Sequence, residues 1–105
     1  MDDVVELNRY LIETIKQKVI STLCDNYGSC SLQLMPTAIL VINEEYRSIS
    51  VDGRGETSYE SSYRFTIRGL EGRRLNVEKM VSNLDNFDVN LMWAYNIAVT
   101  DKYDM

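Results

Sequence analysis

Two cysteines, Cys24 and Cys30, and no histidine make up the chain's whole supply of thiol and imidazole chemistry. A structural zinc site takes four Cys or His ligands at short spacing, so this pair predicts no metal site. Two cysteines are also too few for a disulfide scaffold. Both are expected as reduced thiols, with Cys24 packed at a helix end. The lack of histidine removes the commonest general base and every Ser–His or Cys–His nucleophile pair. Glu44 and Glu45 are adjacent carboxylates, but at a strand end water solvates them. Gly53-Arg54-Gly55 lacks the Lys-Ser/Thr of a phosphate loop, and Gly69 to Gly72 does not open directly onto a helix, so both read as turns. Arg64 and Arg68 share a strand face with Thr66. They could bind an anion, but alternating charge on an exposed strand face is the preferred account. No catalytic, cofactor-binding or metal-binding residue is therefore predicted, no cofactor is implied, and the chain is read as not an enzyme.

The elements that would carry these residues are ordinary. The 105 residues are 45% apolar and 26% charged, which suits one soluble domain spanning 1–105. The net charge of −5 argues against specific binding to nucleic acid. The acidic start, Met1-Asp2-Asp3-Val4-Val5-Glu6, does not resemble a signal peptide, and no apolar run is long enough for a membrane span. Neither repeats nor low-complexity runs are visible.

Residues 3–24 read as an amphipathic helix, with Val4, Leu7, Leu11, Ile15 and Val19 at helical spacing. Asn26 or Gly28 can take a positive φ and end it. Ser31 to Met35 is a short strand interrupted by Pro36. Ala38 to Ile42, apolar in both parities, reads as a central strand. Residues 46–68 form a β-hairpin whose tip, about 52–61, is polar. Asn76 caps a second helix carrying Val77, Met80, Val81 and Leu84, stapled by Leu75 against Met80. From Val89 to Val99 every odd position is large and apolar, which reads as one long closing strand. The result is an α+β domain in the order α-β-β-β-β-α-β: an antiparallel or mixed sheet, with both helices on one face. In this reading Trp93 lies in the core among Leu11, Ile15, Val81 and Leu84.

The other parity of the closing segment carries Asn90, Ala94, Asn96 and Ala98, small and uncharged. Such a face suits close packing against another surface. Residues 1–46 carry a net −4, residues 47–79 a net +2 and residues 80–105 a net −3. This split suits copies of the chain docking on one another. The candidate subunit interface is therefore Arg54, Arg64, Arg68, Asn90, Ala94, Asn96 and Ala98.

The order of elements resembles the tail terminator and tail completion proteins of tailed bacteriophages, and related neck proteins. The likeness rests on the N-terminal helix, the strand after a proline (Pro36 to Ile42), and the hairpin returning through Tyr63-Arg64-Phe65-Thr66-Ile67. It continues through the basic loop Leu70-Glu71-Gly72-Arg73-Arg74, the second helix and the closing strand. The family carries no diagnostic residue motif, so no site residue transfers from it. The resemblance implies a virion structural protein, made in the host cytoplasm. It would form a ring, typically of six copies, that terminates the tail tube and joins it to the neck or connector. Its partners would be further copies of itself and other tail-tube and neck proteins. The alternative reading is a small acidic phage-encoded inhibitor or binding module acting on a host protein.

Overall fold

The computed structural model describes residues 2–51 and 56–100, with side chains from residue 11 onward except 47, 49–51, 56 and 57. Helix α1 runs Asp2–Asp25. It ends where the Gly28 N–H donates to the Leu23 carbonyl at 2.8 Å and the chain turns through Tyr27 (φ 54°) and Gly28 (φ 81°). Gly28 is the positive-φ residue expected there, and Tyr27, rather than Asn26, is its companion. Gly28 also lies against the next strand pair, its carbonyl accepting from the Glu44 N–H at 2.7 Å.

Strands β1 (Ser29–Met35), β2 (Ala38–Val51), β3 (Glu56–Gly69) and β4 (Asn76–Val81) form one antiparallel sheet in chain order. Helix α2 (Phe87–Ala98) closes the described chain. The predicted α+β class holds, as do the N-terminal helix, the antiparallel sheet and a second short helix on the same face. Which residues build the later elements differs from expectation.

Residues 76–81 are not a helix but the fourth strand. Val77 faces Ile67 and Val81 faces Tyr63 across β3, so their side chains continue the core-facing row. Met80, expected on the helix's apolar face, points the other way and is exposed. The predicted closing strand, 89–99, is instead helical over almost its whole length. Its buried residues are Phe87, Asn90, Leu91, Ala94, Ile97 and Ala98, a helical spacing drawn from both parities. The alternation was large against small rather than inward against outward. In a helix the small residues let α2 approach the sheet closely. The order is thus α-β-β-β-β-α, without the final strand. β2 is also one unbroken strand from 38 to 51, where two strands were expected.

One face of the sheet holds the core. Cys30, Leu40, Ile42, Phe65 and Ile67 are buried there with Val19 and Leu23 of α1 and Phe87, Leu91 and Ala94 of α2. The Phe65 and Phe87 rings meet at 6.4 Å, tilted by 54°, a favourable aromatic arrangement. The loop after β3 holds α2 in place. Arg73 Nη1 donates to the Ala98 carbonyl at 2.7 Å, and Nη2 to the Thr100 carbonyl at 3.1 Å. The Ala98 carbonyl lies at the negative end of the helix dipole, where α2 has no basic residue of its own. Gly69 makes the loop possible. A Cβ on it would lie 1.9 Å from the Arg73 carbonyl oxygen.

Candidate assembly surface

The longest feature of the molecule is the β2–β3 ribbon. Its register is continuous from Ala38↔Gly69 to Val51↔Glu56. Pairing with β1 begins at Ser29↔Asn43, and pairing with β4 ends at Tyr63↔Val81. Beyond those rungs, 45–51 and 56–62 have no third strand beside them among the described residues. Seven further rungs at ~3.3 Å project the ribbon roughly 20 Å past the sheet, in a molecule 54 Å long and 24 Å thick.

The two faces of this arm differ. On the face continuous with the helix side of the sheet, Tyr46 pairs with Ser61, and Ser48 with Tyr59. Both tyrosines are about 70% exposed, Tyr46 at 69% and Tyr59 at 72%. Every described side chain of these two rungs is uncharged. At the base of that face, a hydrogen bond with Glu44 pushes the Tyr46 hydroxyl pKa up. Burial, and then Glu44, raises that of Tyr63.

The opposite face is charged. Arg64 Nε donates to Glu45 Oε1 at 2.8 Å, and Nη1 to Glu78 Oε1 at 3.0 Å, tying three strands together. The Arg64 hydrogen bond holds the Glu45 carboxyl below its usual range, and both carboxylates push the guanidinium up. Arg64 is therefore a bridge within the sheet, each of its three nitrogens donating to a carboxylate of a neighbouring strand.

The remaining candidates separate. Arg68 and Asn96 are exposed. Asn90, Ala94 and Ala98 are at most 5% exposed, inside the core. Their small neutral side chains do meet a closely packed surface, but it is the chain's own sheet and α1. They are unavailable to a neighbouring subunit in this fold. Arg54 lies outside the described residues, as does the Asp52–Gly55 part of the predicted hairpin tip.

A second surface went unread in the sequence. On the side of α2 away from the sheet, Val89 (60% exposed), Met92 (51%) and Asn96 form a stripe with the half-buried Trp93. Ile12 of α1 and Asp88 complete an open groove of about 460 Å³. Trp93 is thus not beneath both helices as expected. Its ring lies under the Lys79 ammonium, 5.1 Å from the centroid, a cation–π contact at the groove's edge. Leu11, placed beside it in the expected core, is 47% exposed. The sequence did carry a signal: as a helix, Val89, Leu91, Met92, Trp93, Tyr95, Ile97 and Val99 spread apolar surface over most of the circumference. Such a helix is usually covered on more than one side.

A larger depression of about 620 Å³ lies where β4 stops and the arm continues, lined by Glu45, Tyr46, Glu60 to Ser62 and Met80 to Ser82. Its lining offers serine hydroxyls and the Glu45 and Glu60 carboxylates, and neither cysteine nor histidine. Among the described residues no group of Cys, Asp and Glu is placed to hold a metal ion, and no helix is long and apolar enough to cross a membrane. Cys24 is exposed, and Cys30 is buried, its thiol pKa raised by burial. Neither protein-family models nor curated proteins nor solved structures give a match to the chain.

Proposed function

We propose that this chain is a structural subunit of a tailed-phage neck or tail. It assembles into a closed ring that terminates the tail tube and joins it to the neck, and it acts without catalysis or cofactor. Its seat is then the virion, its partners further copies of itself and the adjoining tail-tube and neck proteins. The observation that carries the reading is the bare two-stranded arm. A lone two-stranded ribbon is at best marginally stable in water, and its two open edges invite pairing. A monomeric domain gains nothing from such an arm, whereas a subunit of an assembly gains a reach of roughly 20 Å. Of the likeness to the tail terminators, the N-terminal helix, the strand after Pro36 and the long hairpin remain, whereas the helix expected after the basic loop is β4 and the expected closing strand is α2, so both drop out of it.

Sedimentation of the purified protein over a wide concentration range, with electron microscopy of the heaviest species, tests this. Ring-shaped particles of one defined copy number are the expected result. A monomer at every concentration overturns it and favours the inhibitor reading.

A further inference from the structure

Resting on the ring reading, we infer that the arms of neighbouring copies join edge to edge: the open edge of β3, residues 57–61, pairs antiparallel with the open edge of β2, residues 46–50, of the next copy. The ladder shows which backbone groups are free to do so. The Glu44 N–H donates to the Gly28 carbonyl, on the β1 side, and the Gly69 N–H to the Leu75 carbonyl, on the β4 side. Backbone direction alternates along a strand. Even residues of β2 therefore aim N–H and C=O at the β1 side, and odd residues of β3 at the β4 side. Beyond the rungs that β1 and β4 occupy, these are Tyr46, Ser48 and Ser50 on one edge and Thr57, Tyr59 and Ser61 on the other. Such a row of donors and acceptors recognises an extended chain. The depression bounded by Glu60 to Ser62 and Met80 to Ser82 lies where that chain would enter beside β3.

Register selects a second arm as that chain. Hydrogen-bonded pairs between the two edges must join an even residue to an odd one. Full overlap of 45–51 with 56–62 satisfies this. It repeats between copies the register found within one: Tyr46↔Ser61, Arg47↔Glu60 and Ser48↔Tyr59. Each of these rungs joins unlike residues. Continued from copy to copy, the rows alternate tyrosine with serine and basic with acidic, which favours cross-strand pairing. Sliding the partner two residues one way sets Glu45 opposite Glu60, a like-charge rung. Sliding it the other way carries Glu45 to the rung of Arg64, where β4 already fills the place.

A two-fold pairing at full overlap, β3 on β3 or β2 on β2, makes no opposite-charge rung and leaves the other edge of both arms open. Pairing β3 on β2 covers both edges with one type of contact. Its two surfaces differ, so it is heterologous, the type that closes a ring, and closure removes the open edges altogether. Three hydrogen-bonded pairs supply roughly six main-chain bonds per contact. One seven-residue overlap is small beside the ~800 Å² per partner of a standard interface, so a single contact is weak. Ring closure gives every subunit two and makes the last one intramolecular.

Proline at an outward-facing residue removes an edge donor and spares the bonds of the arm's own ladder. Ser48→Pro blocks the β2 edge and Tyr59→Pro the β3 edge, with circular dichroism and melting temperature as the check on folding. Each variant alone should stay monomeric to at least ~10-fold above the parent's assembly midpoint concentration. An equimolar mixture should give a one-to-one dimer and nothing larger, because one intact β3 edge still meets one intact β2 edge. If the parent forms rings and either variant forms them equally well, the edge pairing is overturned and the ring reading stands. Self-dimers of either variant alone overturn it in favour of a two-fold contact. A disulfide reads the register without proline. In a Cys24→Ser background, Arg47→Cys mixed with Glu60→Cys should crosslink on oxidation, and neither should alone, because between copies these positions form a non-hydrogen-bonded rung with Cα atoms ~4.5 Å apart. An assembling parent whose mixed cysteine variants do not crosslink overturns the pairing. If the parent never assembles, the ring reading fails and the pairing with it.

Discussion

The inner and outer halves of the β2–β3 ribbon share one register, one pair of strands and one hydrogen-bond ladder, but they are held by different physics. In the inner half Leu40, Ile42, Phe65 and Ile67 are fully buried between sheet and helices. In the outer half the same parity carries Tyr46 and Tyr59, mostly exposed. Backbone pairing is the same in both, so pairing is not what divides the molecule. The division follows the cover. Where β1, β4 and the two helices flank the ribbon, it is the centre of a domain. Where they stop, it is an arm.

Substitutions can break that contrast or sharpen it. The largest effect belongs to the inner half. Phe65→Ala empties a site in contact with Phe87 and should cost about 3–5 kcal/mol in urea unfolding, near the limit for a domain this small. Arg73→Met, at the same end of the ribbon, leaves the Ala98 and Thr100 carbonyls without their charged donor. About 2 kcal/mol is expected, with faster amide exchange confined to the last turn of α2.

Excising residues 47–60 and joining Tyr46 to Ser61 through Asn-Gly tests the outer half directly. The Tyr46↔Ser61 rung becomes the end of the hairpin and the register is kept. The monomer's unfolding free energy should change by no more than about 1 kcal/mol, and assembly should be lost. A collapse of the monomer would show that the arm supports the domain, and the contrast would disappear.

The smallest effect lies at the boundary, where Glu45 meets Arg64. The folded carboxyl titrates below its ordinary value of 4.5. Its contribution is therefore complete above that value and is lost as the pH falls through the lower folded one. Both groups are well exposed to solvent, so the effect is small. Glu45→Gln should flatten the acid limb of the stability profile below about pH 5 and leave neutral-pH stability nearly unchanged. A profile parallel to the parent's would mean that the pair is inert.

Much of this was determined by the sequence. The 3.6-residue spacing of apolar positions defines α1, and alternation with turn chemistry defines the hairpin. The lack of histidine removes imidazole chemistry in any fold. Local rules decide these features, because each signal is complete within its own segment. The identities of the last two elements were decided by tertiary structure. Asn76 to Val81 has both a helical stripe and a strand alternation. It became a strand because β3 offered an unpaired edge on which Val77 and Val81 extend the core. Residues 87–98 are large and apolar at odd positions and smaller or polar at even ones, yet Phe87, Leu91, Ala94 and Ala98 also recur at helical spacing, so they satisfy both periods. They became a helix because the sheet already had four strands, and its core face needed a cover close enough for Ala94 and Ala98 to touch. The same ambiguity hid the candidate site. Val89, Met92 and the half-buried Trp93 come to share one helix face only at 100° per residue, and Tyr46 comes to share a face with Tyr59 only once the register sets them two rungs apart. Residue types can be read along a chain, but which face they share depends on what the rest of the chain has already covered.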